Sequence, residues 1–238
     1  MAPSTPRPAA TVVVARDLAG GGFEVLMLRR NDKVAFMGGA YVFPGGRVDE
    51  RDAAGTPGQL IGSGRRFSDL SRAEEWSYRI AAAREVQEEA SVQLEPASLV
   101  PMAHWVTPEV ETRRYDTRFF VSRMPSNQEA RHDGDETTAL AWLTPANAIA
   151  RCLDGTIMLP PPTWTTLKRM TALGSVDELL TWAATVTIVR VQPLLFRDQD
   201  RMMLTLPGDP TFPTIDGWDI PDETRFVLQD GQWRPTPI

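Results

Sequence analysis

The chain of 238 residues has one cysteine, two histidines and only two lysines among its 25 basic residues. Because Cys152 stands alone, an internal disulfide and a cysteine-based metal cluster are both excluded. The net charge is −6 at pH 7 and no run of basic residues occurs, which argues against a nucleic-acid or membrane-binding surface. No apolar run approaches the length of a membrane span. These absences favour a cytoplasmic protein that binds its ligands at a local site.

The most informative stretch present is Arg84–Glu89, which carries Glu85, Glu88 and Glu89. On a helix these three positions are related as i, i+3 and i+4, so their carboxylates share one face. A capping-box pattern at Ser71–Glu74 predicts the start of this helix, which should extend to about residue 90. Crowded carboxylates repel one another, and a divalent metal would turn that cost into binding. A solvated acidic face is the general alternative.

The segments that flank this helix bear on the choice between a metal site and a solvated acidic face. Upstream, Phe43-Pro44-Gly45-Gly46 ends a short strand at two glycines, where the backbone turns sharply or approaches another group closely. Downstream, Trp142-Leu143-Thr144-Pro145 is a short strand followed by a helix N-cap and a proline at the first helical position. An irregular stretch from residue 49 to residue 71 separates the glycines from the helix and is predicted to be a long loop.

Together these segments resemble the Nudix box, whose pattern is Gly-x5-Glu-x7-Arg-Glu-apolar-x-Glu-Glu-x-Gly-apolar. Gly46 matches the opening glycine, and the second half is matched by Arg84, Glu85, Val86, Glu88, Glu89 and Val92. Counted from Gly46, the first acidic position falls on Asp52, and 31 residues then precede Arg84 where the pattern has seven, so about 24 are inserted. Ser91 replaces the glycine that closes the helix, and serine is tolerated there at some cost.

A box interrupted at this point resembles the Nudix branch typified by the mammalian peroxisomal coenzyme A diphosphatase. Further segments that support it are Arg114–Phe120, Pro160–Pro162 and Leu206–Asp209. The resemblance implies an α/β fold, the Nudix α/β/α sandwich with a mixed sheet. The expected organisation is a flexible tail at 1–9, a Nudix domain at 10–158 with its insertion at about 53–75, and a helical and hairpin extension at 159–238 packed on the same domain.

The resemblance also implies a chemistry and the residues that perform it. Nudix hydrolases cleave diphosphate linkages with Mg²⁺ or Mn²⁺, and Glu85, Glu88 and Glu89 are the implied metal ligands. Glu85 and Glu136 are the alternatives for the general base. Arg84 is expected to pair with Glu88 along the helix and to hold it in position.

Substrate contacts are expected from backbone and arginine groups. Without a Cβ, Gly45 and Gly46 can lie close to a metal or phosphate. Four arginines at strand ends and loops are candidates for the outer phosphates, with a solvated strand end as the alternative: Arg29, Arg30, Arg113 and Arg114. Phe36 and Tyr115 either stack on a base or pack in the core. His104 is expected to be a structural histidine.

The sequence leaves the substrate open. The leading hypothesis is hydrolysis of coenzyme A or an acyl-coenzyme A. NADH, ADP-ribose or a nucleotide sugar is the alternative within the same reaction class, and a non-catalytic Nudix-like ligand-binding protein is the alternative from another class. The expected partner is a small nucleotide, with no nucleic acid and no membrane. Whether the two additions cover the substrate cleft or form the interface of a homodimer is also left open.

Overall fold

Strands and helices follow one another in groups along the chain, and the computed structural model describes residues 4–32, 38–132, 134, 137–218 and 221–238. The strands are β1 (Arg7–Asp17), β2 (Phe23–Arg30), β3 (Tyr41–Val42), β4 (Gly45–Arg47), β5 (Val100–Val106), β6 (Tyr115–Arg123), β7 (Thr137–Leu143), β8 (Arg190–Val191), β9 (Leu194–Asp198), β10 (Arg201–Thr205), β11 (Arg225–Gln229) and β12 (Gln232–Pro235). The α-helices are α1 (Arg72–Ala90), α2 (Pro145–Leu153), α3 (Pro161–Met170) and α4 (Val176–Thr185). Two short 3₁₀ helices lie at Glu50–Ala54 and Pro96–Ser98.

The larger sheet is mixed, as predicted. Its order is β3-β2-β1-β6-β5-β8, with β4 also paired to β1 and β7 to β2. β1 runs parallel to β6 from Arg7, opposite Tyr115, to Ala15, opposite Arg123. The prediction of a flexible tail is therefore wrong for residues 7–9, because the ladder with β6 satisfies their backbone groups.

Helices cover both faces of this sheet. Successive side chains of β1 alternate between the faces, as they must in a strand. Val12 and Val14 pack with α1, whereas Val13 and Ala15 face a core that also receives α2, α3, α4 and the C-terminal strands. The predicted α/β/α sandwich is confirmed. None of the helices in the described part of the chain is long and apolar enough to span a membrane.

The ends of α1 follow the local chemistry of the sequence. Ser71 accepts a hydrogen bond from the Glu74 amide at 3.2 Å, and the Glu74 carboxylate accepts one from the Ser71 amide at 2.9 Å. This is the predicted capping box. At the other end Ser91 adopts φ 57° and ψ 26°, the left-handed conformation that the box glycine would normally take, and its amide donates to the Gln87 carbonyl.

The insertion at 53–75 is held against the helical layer by contacts at several points. The Phe67 ring meets the Phe120 ring edge to face, with centroids 5.4 Å apart. The Ile61 amide donates to the Ala97 carbonyl at 3.0 Å. The Arg65 guanidinium donates to two carbonyls at the C-terminal end of α4. The insertion is therefore a fixed part of the fold.

A buried ion pair fixes the junction between the insertion and α1. Arg79 donates to Glu75 from two nitrogens, at 2.8 and 2.6 Å, and both side chains are at most 2% exposed. Arg66, in the insertion, donates to the other oxygen of Glu75 at 3.0 Å. Arg79 also donates to the Arg65 and Leu99 carbonyls. Burial lowers the pKa of Arg79, and the bonds to Glu75 oppose that change.

The C-terminal extension ends in a second sheet. It is antiparallel with the order β12-β11-β10-β9, so the predicted hairpin is its β9–β10 half. The long return between β10 and β11 is closed by Asp209, whose buried carboxylate accepts bonds from Arg225 at 2.8 and 3.0 Å and from the Thr211 amide at 2.8 Å. These bonds fix β11 beside β10.

Candidate active site

A cavity of about 540 Å³ opens where the C-terminal half of α1 meets β4. One end is lined by charged groups of α1, β4 and the loop after it. The other end reaches the start of α3 and the second sheet. The larger sheet forms the floor between them, through residues such as Thr11 of β1 and Thr117 of β6.

The two glycines of β4 bring the backbone against the acidic face of α1. The Gly45 amide donates to the Glu89 carboxylate at 2.9 Å. A Cβ on Gly45 would stand 2.3 Å from the Ala10 carbonyl oxygen, and a Cβ on Gly46 would stand 2.4 Å from the Glu85 carboxylate. A larger residue at position 46 would therefore displace the Glu85 carboxylate, whereas one at position 45 would clash with β1.

Arg84 connects the two separated halves of the box. It donates to both oxygens of Asp52, at 3.1 and 3.0 Å, and from Nη1 to Glu85 at 2.8 Å and Glu88 at 3.0 Å. Nη2 also donates to the Arg47 carbonyl at 2.9 Å. The Asp52 carboxylate, which is the strongest of these influences, raises the pKa of the Arg84 guanidinium above its already high ordinary value. Arg84 therefore orients two of the three predicted ligands.

The carboxylates on α1 differ in exposure. The Glu85 side chain is 15% exposed and the Glu88 side chain 50%. Glu88 also approaches Arg51, with 3.4 Å between Nη2 and Oε1. Glu85, and Glu89 with its Gly45 bond, are the more constrained members, whereas Glu88 stands at the solvent edge of the cavity.

The pair Arg29 and Arg30 is divided by the structure. The register of β2 with β7 shifts between these two residues, and their side chains lie in different places. Arg30 lines the cavity. Arg29 lies elsewhere, with its guanidinium bound to Asp32 at 2.8 and 3.0 Å and to the Thr138 hydroxyl at 3.1 Å.

The pair Arg113 and Arg114 is divided in the same way. Arg113 is exposed and lines the cavity. Arg114 is buried, and its guanidinium donates to the Thr107 carbonyl at 3.1 Å, the Ser4 carbonyl at 2.7 Å and Gln192 at 3.2 Å. Its bonds fix the start of β6, and the structure places it outside the cavity lining.

The lining also contains charged residues that sequence reasoning did not assign to the site: Arg47, Asp49, Arg51 and Glu111. With them the lining has five acids and five arginines. For residues 49–52, the spacing from Gly46 that identified Asp52 could have indicated that this segment lies at the site. Glu111 lies in a loop and carried no such signal.

The lining also has an apolar part, here called the apolar end, which sequence reasoning missed. Its lining is Phe43, Trp105, Phe119, Pro160, Pro161, Pro162, Leu195, Leu204 and Trp233. The Trp105 ring is held edge to face by Trp218, with centroids 6.1 Å apart. These residues come from distant parts of the chain, so no local pattern could indicate that they meet.

Two predicted residues, Glu136 and Phe36, lie outside the described residues. Tyr115 lines the cavity. His104 is buried, and its Nε2 lies 2.8 Å from the Asp116 carboxylate, in keeping with a structural role. Cys152 is buried, and burial raises the pKa of its thiol, so it does not serve as a nucleophile.

The helix carboxylates fit a hard cation by the kind of donor they offer. Glu85, Glu88 and Glu89 supply carboxylate oxygens at one end of a cavity, which is the ligand type that Mg²⁺ and Mn²⁺ prefer. Within the residues that the structure describes, no three His, Cys, Asp or Glu side chains are already gathered closely enough to hold a metal ion.

Comparison with known proteins identifies the family. The profile of the NUDIX domain matches residues 5–159, well over half of the chain, and the chain belongs to this family as a Nudix hydrolase. It is 25% identical to the acyl-coenzyme A diphosphatase NUDT19 of Xenopus laevis over 87% of this chain and 75% of that protein. The human protein of the same name is also 25% identical, over 85% of this chain and 76% of its own length.

A solved structure confirms the fold. The crystal structure of a NUDIX hydrolase from Alicyclobacillus acidocaldarius superposes with a TM-score of 0.66 and 24% identity, covering 78% of this chain and 99% of that one. At this level of identity the likeness concerns the fold alone. The similarity to the Xenopus protein covers 87% of the chain and so continues beyond residue 159 into the extension.

Proposed function

We propose that this Nudix hydrolase cleaves the diphosphate linkage of coenzyme A or an acyl-coenzyme A in a reaction that depends on Mg²⁺ or Mn²⁺. The observation that carries the reaction class is the arrangement of Asp52, Arg84 and the α1 carboxylates at one end of the cavity. The named relatives, which are similar over the domain and part of the extension, support the coenzyme A substrate.

The carboxylates would hold the metal. Glu85, Glu88 and Glu89 alone would repel a diphosphate, because like charges at short range are unfavourable. A bound divalent cation neutralises phosphate oxygens and lowers the pKa of a coordinated water. The Gly45 amide on Glu89 and the Arg84 guanidinium on Glu85 and Glu88 would keep these ligands oriented.

The arginines that enter the cavity would bind the outer phosphates. Arg30 lies at the end of β2 and Arg113 in the loop before β6, both along the cavity wall. A guanidinium offers a planar pair of donors that suits phosphate oxygens. Arg29 and Arg114, which are held by other partners away from the lining, are left without this role.

In the proposed reaction a water oxygen attacks one phosphorus and the bridging P–O bond breaks. The bridging oxygen leaves with the other phosphate, and the proton of the water passes to a carboxylate base. Glu85 is the described residue proposed for that role, because it is largely shielded from solvent and oriented by Arg84. Glu136 remains the alternative and lies outside the described residues.

A panel of diphosphates tests the substrate. Coenzyme A, an acyl-coenzyme A, NADH, ADP-ribose and a nucleotide sugar are incubated with Mg²⁺ and with Mn²⁺, and the products are identified by mass spectrometry. Release of 3′,5′-ADP together with 4′-phosphopantetheine or its acyl thioester is the expected result. Selective cleavage of another member would reject coenzyme A, and turnover unchanged by a chelator would reject the metal.

Variants of α1 test the residues. Glu88→Gln and Glu89→Gln are each expected to lower kcat/KM by about 100-fold or more, because an amide is a poor ligand for a hard cation. Glu74→Gln at the start of the same helix is the matched control, since glutamine also fits a capping box. Full activity in both ligand variants would remove the catalytic assignment.

A further inference from the structure

The apolar end of the cavity is built largely by the extension. Leu195 of β9 pairs with Leu204 of β10, so these two side chains share one face of the second sheet. Trp233 of β12 lines the same cavity. Leu194, the neighbour of Leu195, pairs with Thr205, faces the other way and is 39% exposed.

Not all of this apolar surface is covered by protein. Leu204 is buried, whereas Leu195 and Trp233 are only half-buried and border the cavity. Trp105, on the floor of the same end, is held rigid by its edge-to-face contact with Trp218. Uncovered apolar side chains next to a polar reaction centre are typical of pockets that bind an amphipathic ligand.

The α1 carboxylates and this apolar surface line one and the same cavity. A ligand with its diphosphate near Glu85 would thus place a flexible apolar arm against the second sheet. A purely polar arm, such as a second sugar, would gain nothing from Leu195 and Trp233 and would lose its own hydration.

We infer that Leu195, Leu204 and Trp233 of the C-terminal sheet are specificity residues that bind the apolar acyl arm of a diphosphate substrate. This inference rests on the proposed function, since it takes the diphosphate to lie at the α1 end. It assigns the extension to substrate selection: the Nudix domain carries out the cleavage, and the second sheet selects the arm.

The test compares coenzyme A with decanoyl-coenzyme A, two compounds that share one diphosphate and differ only in the acyl arm. Their dissociation constants are measured by calorimetry with Ca²⁺ in place of Mg²⁺, so that a divalent cation offsets the repulsion by the α1 carboxylates, and mass spectrometry confirms that neither compound is hydrolysed. Wild-type protein is expected to bind decanoyl-coenzyme A at least about tenfold more tightly, because several methylenes leave water. Leu195→Trp, which fills the apolar end, should reduce that preference to about twofold or less.

Leu194→Trp is the matched control, because it adds the same ring to the adjacent residue on the opposite face. It should keep the wild-type preference. Trp233→Ala should weaken binding of decanoyl-coenzyme A about tenfold and leave coenzyme A within about twofold. Melting curves confirm that each variant is folded, and Leu195→Trp stands as a test even if Trp233→Ala unfolds.

Two outcomes overturn the inference. One is a wild-type protein without preference for decanoyl-coenzyme A, including one that binds neither compound. The other is an equal preference in Leu194→Trp and Leu195→Trp. A preference that persists while no coenzyme A compound is cleaved would instead reject the proposed function and leave the apolar site in place.

Discussion

The two additions to the Nudix domain, the insertion and the C-terminal extension, contact different parts of the molecule. The insertion at 53–75 is joined to the fold by buried charges and aromatic contacts, and none of its residues, all of which the structure describes, lines the cavity. The extension after residue 159 supplies much of the apolar end of that cavity. The two additions thus differ in what they contact: the insertion packs against α1, β6 and the end of α4, whereas the extension borders the cavity.

The position of each addition along the fold explains this difference. The insertion follows Asp52 and returns at the start of α1, about three helical turns before Arg84. The neighbouring contact with the site is made by Asp52, the residue just before the insertion, which binds Arg84. The extension passes along the cavity mouth at Pro160 and returns to it at Leu195 and Trp233.

The largest effect is expected from the buried pair that holds the insertion. Arg79→Ala should lower the free energy of unfolding by about 3 to 5 kcal/mol. The buried Glu75 would keep its bond from Arg66 but lose both hydrogen bonds from Arg79. Turnover per folded molecule should stay within about twofold of wild type, since Arg79 lies away from the cavity. Urea unfolding and kcat/KM, measured on the same preparation, check both statements.

Arg131→Ala is the control for that variant. Its ion pair with Glu129 is exposed on both sides, and its loss should cost no more than about 0.5 kcal/mol. If Arg79→Ala is fully stable but inactive, the insertion acts on the site and the contrast with the extension fails.

The stability contributed by the Asp209–Arg225 pair, which fixes the second sheet of the extension, should depend on pH. Burial opposes ionisation of Asp209, but hydrogen bonds from Arg225 and Thr211 outweigh it and hold the pKa below the ordinary 3.8. The pair thus stabilises the fold above that pH, and the contribution is lost as pH falls below it. Asp209→Asn should cost about 2 kcal/mol at neutral pH and flatten the decline in stability below about pH 4.

Urea midpoints taken from neutral to acidic pH measure this effect. Asp200→Asn, an exposed aspartate in the β9–β10 turn of the same sheet, is the control and should follow wild type. The Asp209 variant should also bind decanoyl-coenzyme A less tightly, because the second sheet carries the apolar wall. Unaltered binding would show that the Asp209 bonds do not affect the apolar wall of the cavity.

The residue where the insertion begins should affect activity more than stability. Asp52→Asn removes the charge that holds Arg84, and Arg84 in turn orients Glu85 and Glu88. A loss of about 10- to 100-fold in kcat/KM is expected, as for other groups that orient metal ligands. Metal titrations of activity should show a weaker apparent affinity, which a purely structural role for Asp52 would leave unchanged.

The smallest effect is expected at the surface of the insertion. Ile61 is 57% exposed, and its backbone amide donates a hydrogen bond to the Ala97 carbonyl. Ile61→Ser should change the free energy of unfolding by no more than about 0.5 kcal/mol and leave kcat/KM unchanged. A clear fall in activity would indicate that this surface contributes to function after all.

Much of the fold followed from local sequence signals. The capping box at Ser71 and the N-cap at Thr144 each predicted the helix that is observed. Residues 7–9 were misassigned because their pairing partner, β6, is more than 100 positions away. The hairpin of β9 and β10 was predicted, but the pairing of β11 with β10 was not, since β11 joins the sheet across a long return closed by Asp209.

The candidate site was likewise predictable only where its residues follow a local sequence pattern. Periodicity alone placed Glu85, Glu88 and Glu89 on one helical face, and spacing from Gly46 marked Asp52. The choice within each arginine pair was not predictable. Arg30 and Arg113 line the cavity whereas Arg29 and Arg114 are held elsewhere, and that outcome depends on the partners each side chain meets.

The sequence by itself determined the acidic face of α1, the two glycines that meet it and the membership of the Nudix family, because all three depend on short-range spacing. The tertiary structure decided which arginines reach the cavity, that Arg84 joins Asp52 to the helix carboxylates, and that Leu195 and Trp233 complete an apolar end. Those features arise from contacts between segments far apart in the chain, which strand pairing and packing bring together and which no local pattern records.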